Sequence, residues 1–353
     1  MEFEQEVARR LRDVPALSGR SIELVKVPYD FSSPTTAGLY RTSGAFVKVL
    51  RPYRHWPLVD LLPEDFRQLA LATDLWRYEA DVYLDGLSRS LPSGLRLPQL
   101  LGVESVDDRL ILVLEDVRPA TVQWDHQRYG RAAELLGRLS ARLTAYDALP
   151  AVAFRAPGQL IRTLYTFVQR FAHPVLLNPE TWKHPLLAND RDLLDELVGL
   201  AARMPALMGE LAQRPQLMSH GDACPQNLLV PADRPDTFVA IDWTLSGLLP
   251  AGDDLGQLLI GRVHSAELAP AELGVLRELT VERYHAGLVA EGRADVTPED
   301  VRAGLDASLL VRSAFLSVPV ERLTEPATPE FEEHVAGRLQ LTRRLLELSG
   351  GDQ

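Results

Sequence analysis

The chain has 353 residues, a net charge of −12 and a single cysteine, Cys224. That length accommodates two lobes or domains, the acidic balance argues against nucleic acid or an anionic membrane surface as a partner, and one cysteine excludes an intrachain disulfide. No apolar run is long enough to span a bilayer, and Met1-Glu2-Phe3-Glu4-Gln5-Glu6 lacks the basic start and apolar core of a signal peptide, so a cytoplasmic location is expected.

In chain order, Phe3, Val7 and Leu11 fall at helical spacing and predict a short amphipathic helix over 3–12. Ser21 to Val27 reads as a strand. Phe31-Ser32-Ser33-Pro34-Thr35-Thr36-Ala37-Gly38 is a loop of small residues. Leu39-Tyr40-Arg41 resumes a strand, Thr42-Ser43-Gly44 turns, and Ala45-Phe46-Val47-Lys48-Val49-Leu50 is a third strand. The small-residue loop suits either a close approach of backbone N–H groups to phosphate or a plain hairpin connection.

Lys48 shares a strand face with Phe46 and Leu50, so its stem lies among apolar neighbours. Either it snorkels from an edge strand or it has a buried partner. Residues 65–87 predict one long helix with Phe66, Leu69, Leu75, Trp76, Val82 and Tyr83 on its apolar side. Glu79 sits in the middle of that side. A carboxylate there needs a partner, because an unpaired buried charge is costly. Lys48 is the natural one.

Strands are expected at Gln99 to Val103 and at Leu110 to Leu114, the second ending on Glu115-Asp116-Val117. A boundary falls near Arg118-Pro119, giving 1–118 and 119–353. Arg128 to Leu149 is an amphipathic helix with Leu135, Leu136, Leu139 and Leu143 facing a core. Residues 150–190 read as irregular, and their His173 and His184 as packing or surface residues. Asp190 to Leu211 is a further helix. Beyond Asp254 the chain reads as helical over 255–262, 270–291, 298–317 and 329–348, with prolines at several helix starts. Asp300, Asp306, Glu321 and Glu325 suit an acceptor pocket or a solvated face equally.

The most informative stretch is Leu217 to Asp254. His220-Gly221-Asp222 follows one short apolar run, Asn227 stands before another, and Phe238-Val239-Ala240-Ile241 ends on Asp242-Trp243. His-x-Asp-x-x-x-x-Asn is the catalytic-loop spacing of phosphoryl transfer to a hydroxyl, with a second Asp at the end of the next strand. The residue types fit that chemistry. A carboxylate accepts the hydroxyl proton, and hard oxygen donors suit Mg²⁺ beside an anionic phosphoryl group. Cys224 has no His-Asp pairing that would make it a nucleophile and reads as a small residue in a tight loop.

His220-Gly221-Asp222, Asn227, Asp242-Trp243 and Gly252-Asp253-Asp254-Leu255 together resemble the aminoglycoside phosphotransferase and choline kinase-like family, whose members are small-molecule kinases. The resemblance covers most of the chain. It implies an α+β, bilobal protein kinase-like fold: a small antiparallel-sheet nucleotide-binding N-lobe with one long helix, then a larger, mainly helical catalytic and substrate-binding C-lobe. It implies Asp222 as the catalytic residue, Asn227 and Asp242 as Mg²⁺ ligands, and Lys48 on the phosphates, held by Glu79. It implies a phosphate loop at Thr35 and Thr36, and an adenine hinge at Glu115 and Val117. His220 would brace the loop, and Asp254 would tie it to a C-terminal helix. ATP or GTP with Mg²⁺ would serve as cofactor, and a small-molecule hydroxyl compound as partner. An aminoglycoside-like antibiotic, a sugar or an amino alcohol all suit the same machinery. Two other classes are a nucleotide-binding pseudokinase acting as an adaptor and a kinase acting on a protein. The intact Lys, Asp, Asn and Asp oppose the first; His-Gly-Asp and the lack of an Ala-Pro-Glu signature oppose the second.

Overall fold

The computed structural model describes residues 2–29, 33–62, 64–72, 75–143 and 156–350. They form two compact units. The first takes Met1–Val122 and Asn227–Thr244; the second takes Gln123–Tyr146, Phe154–Gln226 and Leu245–Gln353. The segment 227–244 groups with the first unit because Phe238-Val239 pairs in parallel with Leu95-Arg96.

The strands are β1 (Val25–Lys26), β2 (Thr36–Thr42), β3 (Ala45–Leu50), β4 (Leu95–Arg96), β5 (Leu100–Val106), β6 (Arg109–Glu115), β7 (Gln216–Ser219), β8 (Leu228–Leu229), β9 (Phe238–Ala240) and β10 (Gly247–Pro250). The helices begin with α1 (Glu2–Leu11), α2 (Glu64–Ala72), α3 (Tyr78–Leu84) and α4 (His126–Leu143). They continue with α5 (Gln159–Phe171), α6 (His173–Leu176), α7 (Asp192–Leu211) and α8 (Asp253–His264). The last are α9 (Leu273–Ala290), α10 (Pro298–Ser308) and α11 (Pro329–Gly350).

The first unit is built on a sheet of order β1-β2-β3-β6-β5, antiparallel at every pairing. One of its faces carries α1: Val7 and Leu11 pack with Val47, Val49, Ile111 and Val113. The two-residue strand period then sends Phe46, Lys48 and Leu50 to the other face. The β8–β9 hairpin joins β4 in a separate three-stranded sheet.

The second unit is mainly helical. α4 and α9 pack backbone to backbone: a Cβ added at Gly137 would come within 2.1 Å of the Tyr284 carbonyl oxygen, so only glycine fits there. A second core gathers Tyr165, Trp182, Leu197, Leu200, Val311, Phe315 and Leu339. β7 and β10 form a two-stranded antiparallel ladder beside these helices.

Several expectations are corrected. The single helix over 65–87 is replaced by α2, a 3₁₀ turn at Leu75–Arg77 and α3. Residues 73–74 between them lie outside the described residues. The strand over 21–27 shrinks to Val25–Lys26, both exposed. The segment 150–190 is not irregular throughout: α5 buries Leu160, Ile161, Tyr165 and Val168, a helical stripe. The helix over 298–317 ends its α-geometry at Ser308 and continues as a π-turn over Leu309–Ala314. Residues 144–149 of the helix expected over 128–149 lie outside the described residues. No described helix is long and apolar enough to cross a membrane.

Candidate active site

In the first unit, antiparallel pairing sets Lys48 opposite Leu39 on one side and Leu112 on the other. Its side chain is 9% exposed and that of Glu79 is 3% exposed, so neither charge is left to water. Lys48 Nζ lies 2.6 Å from Glu79 Oε2 and 3.4 Å from Asp242 Oδ1. Thr244 closes the group: its hydroxyl lies 3.2 Å from Glu79 Oε2 and 2.9 Å from Asp242 Oδ1. Burial alone would lower the Lys48 pKa, but the Glu79 and Asp242 carboxylates outweigh it and hold the ammonium above the ordinary lysine value. Lys48 is therefore a fixed cation.

Asp242 follows the end of β9 in the left-handed region, at φ 59°. A non-glycine residue there is uncommon and costs free energy, which re-aims the carboxylate at the strand end. Trp243, 1% exposed, anchors the next position through Nε1 to the Ala240 carbonyl at 3.2 Å. Asn227 is brought beside this bend by the hairpin: the Ile241 N–H donates to its carbonyl oxygen at 3.0 Å. The Asp242 carboxylate, 45% exposed, and the Asn227 amide are hard oxygen donors of the kind Mg²⁺ takes alongside phosphate and water. Among the described residues no group of three or more His, Cys, Asp or Glu is arranged to hold a metal by itself.

The other expected nucleotide residues lie elsewhere in this unit. Glu115, at the end of β6, accepts from Arg96 through both oxygens at 2.6 and 2.9 Å, and from the Gln99 N–H at 3.0 Å. The Arg96 bond lowers its pKa against some desolvation. The Val117 N–H donates to the Glu115 carbonyl at 3.0 Å. The Glu115 side chain is thus locked into the fold, and the Glu115 N–H is given to the Gln99 carbonyl at 2.9 Å. Thr35 and Thr36 are buried at the entry to β2, and the Thr35 carbonyl accepts from the Arg51 N–H at 2.8 Å. Phe31 and Ser32, from the same expected loop, lie outside the described residues.

Asp222 belongs to the second unit. It follows β7 through a turn that demands glycine. Gly221 has φ 82°, and a Cβ on it would meet the Leu245 carbonyl oxygen at 1.9 Å. Both main-chain N–H groups of this turn end on one carboxylate: His220 N to Asp254 Oδ2 at 3.0 Å and Gly221 N to Asp254 Oδ1 at 2.8 Å. Asp254 lies in the first turn of α8 and is fully buried; burial raises its pKa, against His220 and these two donors. The His220 ring, also fully buried, accepts from the Asp222 N–H at Nδ1, 3.2 Å away. Asp222 Oδ1 lies 3.4 Å from Arg312 Nη2, and Arg312 Nη1 donates to the Gly221 carbonyl. The adjacent Cys224 is half-buried and gives its N–H to the Asp222 carbonyl at 2.8 Å.

Three residues of these clusters did not emerge from sequence reasoning: Thr244, Arg96 and Arg312. Arg312 was detectable. It stands inside Leu309-Leu310-Val311-Arg312-Ser313-Ala314-Phe315, and a charge in an apolar helical run needs a partner, the argument that singled out Glu79. Thr244 and Arg96 carry no such signal. The unassigned C-terminal acids prove structural in part. Asp300 completes a capping box with Thr297, and Asp306 takes Arg277 through two bonds at 2.7 and 2.6 Å. His173 packs against the rings of Tyr165 and Phe315.

Residues 79–288 match the profile of the phosphotransferase enzyme family, APH. No curated protein sequence matches the chain. Among solved structures, the AMP complex of the spectinomycin phosphotransferase APH(9)-Ia superposes with a TM-score of 0.57 at 11% identity, covering 99% of this chain and 98% of that one. The GDP and kanamycin complex of APH(2")-IIia gives 0.55 at 14% identity, with 99% of each chain covered. The aminoglycoside phosphotransferase APH(3'')-Id from Streptomyces rimosus, with ADP and streptomycin, gives 0.51 at 16% identity, covering 88% of this chain and 99% of that one. These likenesses establish the protein kinase-like fold.

Proposed function

The chain belongs to the phosphotransferase enzyme family, whose members are small-molecule kinases, and from that premise we propose that it moves the γ-phosphate of ATP or GTP to a hydroxyl of a small molecule. An aminoglycoside-like antibiotic, a sugar or an amino alcohol fits. The observation that carries the reading is the buried Lys48 ammonium, 2.6 Å from Glu79 and 3.4 Å from Asp242. A fixed cation beside an exposed carboxylate at a strained strand end is what a triphosphate with its metal requires.

In this reading residues 1–118 form the nucleotide-binding lobe and 119–353 the catalytic and substrate-binding lobe. Lys48, held by Glu79, binds the phosphates. Thr35 and Thr36 border the phosphate loop, and the base would lie against the main chain near Glu115 and Val117. Asn227 and Asp242 would hold Mg²⁺, which when bound neutralises phosphate charge. Asp222 orients the acceptor hydroxyl and takes its proton, and its backbone is fixed by His220 and, through that residue, by Asp254. The work of these residues is positioning and charge neutralisation. The ligands in the solved relatives, nucleotides with kanamycin or streptomycin, support the substrate class. A cytoplasmic location fits a nucleoside triphosphate as cofactor.

The test is an ADP- and GDP-release screen with Mg²⁺ over hydroxyl compounds, including kanamycin, spectinomycin, sugars and amino alcohols. Metal-dependent release that rises with one acceptor class is expected. Release no faster than with water for every acceptor contradicts the proposal.

A further inference from the structure

Arg312 is a cation beside the Asp222 carboxylate in the second unit, its Nη2 3.4 Å from Oδ1. It sits in the π-turn that follows α10, a geometry that shifts a helix's register and recurs at functional sites. Leu309, Leu310, Val311 and Ala314 of the same turn are buried, and Leu310, Val311 and Ala314 belong to the helical core. Arg312 is aimed instead at the catalytic loop. Its side chain is 11% exposed. Nη1 donates to the Gly221 carbonyl, Nη2 lies 3.4 Å from Asp222 Oδ1, and Nη1 lies 3.9 Å from Asp253 Oδ1. Asp253 is fully buried in the first turn of α8, and neither of its oxygens has a hydrogen-bond partner at ordinary geometry. A buried carboxylate of that kind is costly unless a cation faces it, and Arg312 is the cation that does.

We propose that Arg312 is a positioning residue for Asp222: its guanidinium clamps the Gly221 carbonyl and Asp222 Oδ1 together, with the buried Asp253 carboxyl behind it. This rests on the reading of Asp222 as the hydroxyl-orienting group. The clamp restrains χ1 and χ2 of Asp222 through one oxygen, so that the acceptor hydroxyl meets the other in a fixed direction. It also couples the loop to α8 and to the π-turn, and so to the helical core. Among the described residues, the charged or titratable groups around Asp222 in this unit include His220 and Cys224 on its own loop, Arg312 on the π-turn, and Asp253 and Asp254 on α8.

The test reads the Asp222 carboxyl directly. The whole chain is labelled with ¹³C at aspartate Cγ, the Asp222 signal is assigned by its loss in Asp222→Asn, and its titration is followed in the parent, Arg312→Gln and Arg312→Lys. Losing the adjacent guanidinium raises the Asp222 midpoint by about one unit in Arg312→Gln, with Arg312→Lys between the two. Unchanged midpoints in both folded variants overturn the proposal. Should Arg312→Gln fail to fold, Arg312→Lys alone decides: a midpoint identical to the parent's is the overturning result.

Turnover separates this inference from the one beneath it. With any acceptor the screen yields, or with water, Arg312→Gln lowers kcat roughly 10- to 100-fold with nucleotide KM unchanged, and adds nothing in an Asp222→Asn background. If Asp222→Asn itself keeps full turnover, the reading of Asp222 fails. If Asp222→Asn is dead and Arg312→Gln is fully active, only the clamp fails.

Discussion

Lys48 in the first unit and Arg312 in the second are both nearly buried cations set among carboxylates, yet their surroundings differ. Lys48 has Glu79 at 2.6 Å, Asp242 at 3.4 Å, and Thr244 bonded to both acids. Every member of that group is tied to another. Arg312 reaches Asp222 at 3.4 Å and Asp253 at 3.9 Å, and Asp253, with the Ser308 hydroxyl near it, makes no hydrogen bond of ordinary geometry. One network is closed and the other has slack. A closed network resists removal of any member. A slack one holds a group whose protonation can change: burial, against the pull of Arg312, carries the Asp253 pKa from 3.8 to about 7. On the proposed reading, the first arrangement would serve as a fixed phosphate contact and the second would hold the loop that receives the acceptor.

The contrast breaks most sharply at Asp222. Asp222→Ala lowers phosphoryl transfer by about a thousandfold or more while nucleotide affinity, read by calorimetry, stays within a few-fold. An equal loss of nucleotide affinity would move Asp222 into the phosphate-binding group. Next comes Lys48→Met. It strands Glu79, 3% exposed, without its cation, and denaturant unfolding should show a loss of about 3 kcal/mol together with weakened nucleotide binding.

Asp253→Asn addresses the slack network. The folded pKa lies above the unfolded one, so the folded state holds the extra proton between about pH 4 and about pH 7. Stability from that proton is present at the acid end and lost as pH rises. Compared with the parent, Asp253→Asn should therefore gain in relative stability across that window by roughly 1.4 kcal/mol per pH unit, read by denaturant titration. A flat difference across pH would show Asp253 ionised throughout. The smallest effect is expected from Thr244→Val, which removes one hydroxyl donor shared between Glu79 and Asp242 yet leaves the Lys48–Glu79 pair. A loss of about 1 kcal/mol and a few-fold drop in kcat should follow, measured by unfolding and by ADP release.

Much of both regions was legible in the residues. Glu79 stood on an apolar helix face, Lys48 on an apolar strand face, and the pairing of the two followed from the cost of leaving either alone. Gly221 and Asp254 took the places the motif assigns them, with geometry that excludes a side chain at the first and caps two N–H groups with the second. What stayed hidden depends on contacts distant in sequence. Nothing local says that Thr244 would reach Glu79, or that Arg96 would take Glu115. β10 was missed because Gly247-Leu248-Leu249-Pro250 is short, and its partner β7 lies far back in the sequence. The register shift that turns Arg312 toward Asp222 arises from a π-turn, which has no sequence signature of its own.

The most direct measurement follows the phosphate itself. The protein is incubated with γ-labelled ATP, Mg²⁺ and pooled small hydroxyl compounds, and the products are separated into small molecules and protein. The account predicts label in a small-molecule phosphate ester, formed by the parent and absent with Asp222→Ala. Label retained on protein, or the same ester formed equally by Asp222→Ala, would contradict it.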